Sequence, residues 1–370
     1  MKALRLILCS LLFVTIPVLV LAQTSQTFTP TPITENEIDW YDTAQWEVEG
    51  KGWPDTLSHY SRIPEKAKGI IPDSVWGLSL QSSGLLLRFK TDATTIRARH
   101  KVTGNLTMPH MTTVGSSGLD LYTKNENGLW RWAGFSKPDA QEYDQALLDG
   151  ASKSLREYML YLPLYNRTES LAIGVPKGSF FEALPPLAKK PIVYYGTSIA
   201  HGCSASRPGM AFPAILGRRL GYTVINFAFS GAGRMEEEMA DLIQEIDAEV
   251  YVIDCLPNMT LDHVNERAEI FIRKLRQDRP ETPIILVEDR TLTNAWLLPW
   301  WQQNHENKRA AFRTVYEKLV GEGMTGLSYI EGDDLLGDDG EAAVDGSHPT
   351  DLGMVRMADA VEPFLRKVLP

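Results

Sequence analysis

The stretch PIVYYGTSIAHG, Pro191 to Gly202, decides how the chain reads. Pro191 to Tyr195 is apolar and short, as a buried strand should be. Gly196-Thr197-Ser198 turns the chain, and a helical apolar pattern follows over Ala211–Leu220. A serine in a strand-to-helix turn stands at the carboxyl edge of a sheet, where open α/β folds place their ligands. A solvated serine in any βα loop looks the same locally. The choice therefore rests on what the rest of the chain brings to that edge.

Downstream, strand-like and amphipathic runs alternate. Thr223–Phe227 precedes Met235–Ile246, Val250–Asp254 precedes Leu261–Arg276, Pro283–Val287 precedes His305–Leu319, and Leu327–Ile330 precedes Leu352–Val368. Five βα repeats predict an α/β domain: a parallel five-stranded sheet, flavodoxin-like in size, covered on both faces. Upstream the period changes to two. Leu87 and Phe89 alternate with Arg88 and Lys90, Ile96 and Ala98 with Arg97 and Arg99, and Leu119 and Leu121 flank Asp120. With turn clusters such as Lys124-Asn-Glu-Asn-Gly128 between runs, this predicts an antiparallel β-sandwich, jelly-roll-like. Trp40, Trp46, Trp53 and Trp76 are expected to pack along it. Leu184-Pro-Pro-Leu-Ala-Lys-Lys190 reads as the joint between the two. The expected organisation is a leader over 1–22, a sandwich over 23–184, a linker over 185–190 and the α/β domain over 191–370.

The leader reading comes from Lys2 and Arg5 before the apolar run Leu6–Leu21, then Val20-Leu21-Ala22 as a small-residue cleavage site. It predicts an exported protein, secreted or periplasmic. No later stretch is long and apolar enough to span a bilayer. The formal net charge is −10, and loss of Lys2 and Arg5 makes it more acidic still. That balance argues against nucleic acid as a partner. Oligomeric state is not written in the sequence.

The loops after the five strands share one rim. They carry Gly196-Thr197-Ser198, Asn226-Phe-Ala-Phe-Ser-Gly231, Asp254-Cys-Leu-Pro-Asn258, Glu288-Asp-Arg290 and Asp345-Gly-Ser-His348. Acyl transfer needs these parts. Ser198 as nucleophile needs a base, which His348 supplies, and Asp345 three residues earlier can orient that ring. The N–H groups of Ser198 and Gly231 and the amide of Asn258 can donate to an oxyanion. His201, three residues beyond Ser198, is the rival base but has no carboxylate beside it. Arg290, Trp296 and Trp300 lie beyond the fourth strand as possible substrate contacts. There the indoles can stack a sugar, line an acyl groove or pack on one another. No His/Cys/Asp cluster shows metal-ligand spacing.

The four blocks, with Asp345-Gly-Ser-His348-Pro349 the most specific, resemble the SGNH hydrolases, the GDSL-type esterases and lipases. Gly196-Thr197-Ser198 stands where that family has Gly-Asp-Ser, and Cys255-Leu-Pro-Asn258 where it has Gly-x-Asn-Asp. The resemblance implies ester or thioester hydrolysis through an acyl-enzyme on Ser198, with no cofactor. A sandwich-fused, exported member is similar to carbohydrate esterases that deacetylate glycans. The alternatives are a lipid esterase or lysophospholipase, and a non-catalytic carbohydrate-binding protein. The polar stretch Thr107–Thr113 is long enough to reach the rim from the sandwich. Cys203 and Cys255 follow the first and third strands, neighbours in a flavodoxin-like order, so a disulfide between them is expected; two separate buried thiols are the alternative.

Overall fold

The computed structural model describes residues 27–370. The leader read over 1–22 lies outside them. Ten short strands come first: β1 (Ile33–Glu35), β2 (Ile38–Asp42), β3 (Leu86–Thr91), β4 (Ile96–Val102), β5 (Asp120–Lys124), β6 (Trp130–Phe135), β7 (Glu142–Leu148), β8 (Arg156–Tyr161), β9 (Thr168–Pro176) and β10 (Phe181–Leu184). They form two antiparallel five-stranded sheets, ordered β1-β2-β9-β4-β7 and β10-β3-β8-β5-β6. The period-two runs explain the sandwich. Leu87, Phe89, Ile96, Ala98, Leu121, Tyr158, Leu160 and Ile173 fill its interior. Each buried Leu, Ile or Phe among them contributes roughly 1.5–3 kcal/mol by leaving water. Two short helices, α1 (Asp73–Ser79) and α2 (Thr113–Ser117), belong to the connecting segments.

The α/β half follows the predicted alternation. Its strands are β11 (Ile192–Gly196), β12 (Val224–Ala228), β13 (Val250–Asp254), β14 (Ile284–Val287) and β15 (Leu327–Ile330). All are parallel, in the order β12-β11-β13-β14-β15. That is the flavodoxin-like order, with the strand before Ser198 between the second and third. The helices are α3 (Ser198–His201), α4 (Phe212–Leu220), α5 (Glu237–Ile243), α6 (Leu261–Asp278), α7 (Pro299–Gly321) and α8 (Asp351–Val368). Strand alternation sends Val193 and Tyr195 into one core and Ile192 and Tyr194 into the other, so both faces are covered, as a parallel sheet requires.

Part of the segment ahead of β3 packs against the α/β half. Trp40 and Trp46 are buried on the sandwich side, but Trp53 and Trp76 pack with Ile63, Val75 and Phe227 in the α/β core. The expectation that all four indoles line the sandwich is thus wrong for two of them. Arg62 makes the tie polar as well. Its fully buried guanidinium donates to the carbonyls of Asn226 (2.9 Å) and Ala228 (3.0 Å) on β12, and to Leu78 and Gln81. Burial pulls Arg62 down to about 9, still well above neutrality.

The expected disulfide is absent: Cys203 and Cys255 are free thiols, both buried. The reason is the sheet itself. Cys203 lies in the core shared with Tyr194 and Phe212, Cys255 in the core shared with Tyr195 and Phe271. Their strands are neighbours, but the side chains leave by opposite faces.

Candidate active site

The nucleophile turn is built by β11 and α3. The Thr197 side chain caps α3, accepting from the Ile199 N–H, and Gly202 ends it in the left-handed conformation. Ser198 is held at the rim with 7% of its surface exposed. Its Oγ lies 2.9 Å from His348 Nε2. His348 Nδ1 lies 2.7 Å from Asp345 Oδ2. The other carboxylate oxygen, Oδ1, accepts the N–H of Ser347 at 3.0 Å and of His348 at 2.8 Å. Asp345 therefore fixes the ring and the backbone that carries it. Those hydrogen bonds outweigh partial desolvation and hold its carboxyl at about 2. The tip is closed by a bridge between Ala343 and Pro349 and by the Val344 N–H to His348 carbonyl bond at 2.9 Å.

The glycine loop follows β12. Gly231 and Gly233 both have φ near +67°, a region that favours glycine. At Gly233 a Cβ would come within 2.3 Å of the Gly196 carbonyl oxygen, so the loop can lie against the nucleophile turn only with glycine there. No acceptor among the described residues takes the Gly231 N–H. Asn258 lies beside this loop but is differently employed than expected. Its amide donates to Phe229 O at 3.3 Å and to Ala232 O. Asn258 thus clasps the glycine loop from across the rim, and its N–H groups face that backbone.

Arg290 is likewise not a free substrate contact. It is buried, with 5% exposed, and its guanidinium donates to Ser347 O at 3.3 Å and to Ser347 Oγ. It also pairs with buried Asp289, which accepts from Lys308 at 2.7 Å and faces His305 Nδ1 at 3.1 Å. These cationic and hydrogen-bonding partners outweigh desolvation and hold Asp289 well below the usual carboxylate range. A cluster of charge between the loop after β14 and α7 therefore braces the residue next to His348. The Thr293 N–H bond to Gly346 O at 3.0 Å adds a second strap.

Trp296 and Trp300 are open to solvent, at 73% and 67%, with Leu297 beside them. Trp300 stacks edgewise on Trp301. His201 is excluded as the base. It is fully buried, its Nε2 meets Leu164 O at 2.7 Å, and its ring stacks on Tyr165. Burial, with Arg62 nearby, keeps that ring well below its ordinary range and so neutral.

The roles of two residues escaped the sequence reading. Asp120 in β5 is fully buried and accepts from Arg207 (2.9 Å), Gly209 N–H (2.8 Å) and Trp132 Nε1 (3.0 Å). It docks the sandwich on the loop that follows Ser198. Asp254, the last residue of β13, is buried and accepts from the Tyr194 hydroxyl at 2.9 Å. Burial pushes it up to about 8, with Asp289 adding to the effect and the Tyr194 bond opposing it. From the sandwich, the Thr107–Thr113 stretch does reach the rim: His110 Nε2 stands 3.5 Å from Asp345 Oδ2.

A GDSL-like lipase from Bacteroides ovatus, in its crystal structure, is 35% identical to this chain. The match covers 90% of this chain and 98% of that one, with a TM-score of 0.85. The chain belongs to the GDSL-like lipase/acylhydrolase family. The model of that family matches residues 189–366, and a model described as the N-terminus of SGNH-hydrolase-type esterases, GxDLY, matches residues 38–181. In this family member Gly118-Leu-Asp-Leu-Tyr122 carries the GxDLY pattern, and its Asp120 is the docking carboxylate described above. The salicylyl-acyltransferase SsfX3 of a tetracycline biosynthetic pathway shares the fold at 20% identity, covering 93% of this chain and 98% of its own, TM-score 0.71. A family two carbohydrate esterase from Cellvibrio japonicus shares it at 14% identity, covering 77% and 89%, TM-score 0.54. No curated protein sequence matches the chain. As a GDSL-like hydrolase with this fold, the protein is an enzyme acting on ester bonds. No helix among the described residues is long and apolar enough to cross a membrane.

Proposed function

We propose that this hydrolase is an exported serine esterase that removes acetyl or other short acyl groups from a carbohydrate. The observation that carries the mechanism is the hydrogen-bonded series Ser198 Oγ, His348 Nε2 and Nδ1, Asp345 Oδ2, at 2.9 and 2.7 Å. With the ring proton on Nδ1, donated to Asp345, the Nε2 lone pair takes the Ser198 proton as Oγ attacks the acyl carbon. The N–H groups of Ser198 and Gly231 then receive the oxyanion. His348 passes its proton to the departing sugar oxygen, leaving an acyl-enzyme, and a water activated by the same nitrogen releases the acid. Asp345 stays ionised throughout. Asn258 and Arg290 position this machinery, one through the glycine loop and one through Ser347.

The carbohydrate part is supported by the open indoles of Trp296 and Trp300 on the same rim and by the carbohydrate esterases that share the fold. Export is supported by the leader pattern at the N-terminus. The exposed Leu297 and Leu298 beside those indoles favour a second reading, a lipid esterase. One comparison separates the two. Acetylated xylan and 4-nitrophenyl acetate should be deacetylated, with turnover falling as the acyl chain lengthens. Preference for long acyl chains would replace the glycan reading by the lipid one. Full activity in Ser198→Ala would remove the serine mechanism.

A further inference from the structure

We propose that His110, Asp345 and His348 form a site for a divalent transition metal, zinc foremost, and that its occupancy switches the hydrolase off. The inference rests on the serine mechanism above only for its effect on turnover; the binding itself does not need it.

The donor atoms come from two domains and more than two hundred residues apart in sequence, which is why no ligand spacing shows in the chain. Asp345 Oδ2 is 2.7 Å from His348 Nδ1 and 3.5 Å from His110 Nε2. All three donors lie within 4.8 Å of one another. A tetrahedral zinc with bonds of about 2.0–2.2 Å sets its ligands roughly 3.3 Å apart, so small side-chain movements close the site. The fourth position opens to solvent, because all three residues are partly exposed. Two imidazoles and one carboxylate suit zinc and copper better than magnesium or calcium.

The supports are already in place. Asp345 Oδ1 is held by two backbone N–H groups, leaving Oδ2 to face both rings, as second-shell bonds do in built metal sites. His110 is presented by a tight turn in which the Met111 N–H bonds Met108 O at 3.1 Å, and Met111 is anchored in the α/β core. The two rings lie face to face at 6.0 Å, tilted by 28°.

The consequence for catalysis follows from proton placement. In the active arrangement His348 carries its proton on Nδ1 and offers the Nε2 lone pair to Ser198. A metal on Nδ1 takes the lone pair there, so the ring's single proton must sit on Nε2. The proton count of the ring is unchanged, but Nε2–H now donates to Ser198 Oγ and cannot accept its proton. The metal-bound form is therefore inactive, and removing the metal restores it.

Two measurements test this. The first reads binding alone: Co2+ added to the Ser198→Ala protein should give visible ligand-field absorption bands, displaced by zinc. The bands should vanish when His110→Ala is added. The second reads turnover. Zinc should inhibit the wild type reversibly, with activity restored by a chelator. In His110→Ala, inhibition measured against that variant's own zinc-free rate should weaken by about 100-fold, at least the loss that outer-shell changes cause. Cobalt binding by Ser198→Ala with no hydrolysis by the wild type would support the metal site and sink the esterase reading. Hydrolysis unaffected by millimolar zinc, or inhibition equal with and without His110, would overturn the metal site and leave the esterase reading standing.

Discussion

Replacing Asp345 by Asn isolates what the carboxylate does, since the two side chains share a shape and differ in what they donate. The amide has two ways to sit. With its oxygen in the Oδ1 place it keeps the bonds from the Ser347 and His348 N–H groups, now at 3.0 and 2.8 Å, and turns its NH2 toward His348 Nδ1. Reversed, it keeps the ring bond, now at 2.7 Å, but sets NH2 against two N–H donors. Each bond is worth about 1 kcal/mol net, and facing donors against donors costs a further 1–3 kcal/mol or so, so the first arrangement wins. An NH2 group donating to Nδ1 forces the ring proton onto Nε2, where it points at Ser198. The ring is then in the wrong tautomer to act as base. We expect kcat to fall by roughly 10⁴, about 5.5 kcal/mol of barrier, with KM little changed. His348→Ala should lose more, about 10⁶. The assay is steady-state turnover of 4-nitrophenyl acetate by both variants, with thermal unfolding as a check on folding. A folded Asp345→Asn protein within one order of magnitude of wild-type kcat would mean that some other acceptor holds the ring and that Asp345 does not set its tautomer.

Arg290→Met removes the brace on Ser347 and one partner of buried Asp289, which keeps Lys308 and His305; stability should drop by about 2 kcal/mol in urea unfolding. Turnover should fall with KM nearly constant, and a rise in KM at constant kcat would return Arg290 to the substrate. Asp254, held near 8 in the folded protein against an ordinary 3.8, is protonated when folded and ionised when unfolded between those values. Its contribution is therefore full below about pH 4 and is lost as pH rises toward 8. Asp254→Asn should gain stability relative to wild type as pH climbs from 5 to 8, in about that window; equal pH slopes for the two proteins would show that Asp254 ionises normally. Denatured, unreduced protein should show both Cys203 and Cys255 as reactive thiols in a titration with a chromogenic disulfide, and finding neither would restore the bridge.

What was legible in the sequence follows from where side chains go. The five parallel strands could be placed within a residue or two because strands covered on both faces are mostly apolar, with Asn226 in β12 and Ser328 in β15 as the interior exceptions. Ser198, Asp345 and His348 were legible because each stands just beyond such a strand or just before the last helix. The start of α7 was not: the helix begins at Pro299, but Trp300 is open to solvent, so its first turns lack the buried stripe that marks His305 onward. Asp120 misled in a more instructive way. Between Leu119 and Leu121 it has the spacing of an outward, solvated residue on a half-buried strand. Outward it is, but the α/β half covers that face and Arg207 meets it there. Alternation reports which side of a sheet a residue takes, not what lies on that side.

The cysteines turn on the same distinction. Strand order correctly placed the loops of Cys203 and Cys255 beside each other, and the backbone pairing of Gly196 with Asp254 shows how close the two strand ends are. Proximity of backbones is nevertheless only half of what a disulfide needs; the Cβ vectors must also converge. Along β11, Tyr194 and Tyr195 leave by opposite faces, and the chain beyond each strand inherits one face or the other. Cys203 returns under α4 and α8, while Cys255 enters the core beneath α6, its thiol against the Tyr195 carbonyl. The turns between strand end and cysteine choose the face, and no period in the sequence records that choice. The same argument explains why Ser198, Asp345 and His348 could be read and the pairing of the cysteines could not. Catalytic groups need only point off the end of the sheet, a direction every strand shares, whereas a bridge through the core requires knowing which side of the sheet each side chain has taken.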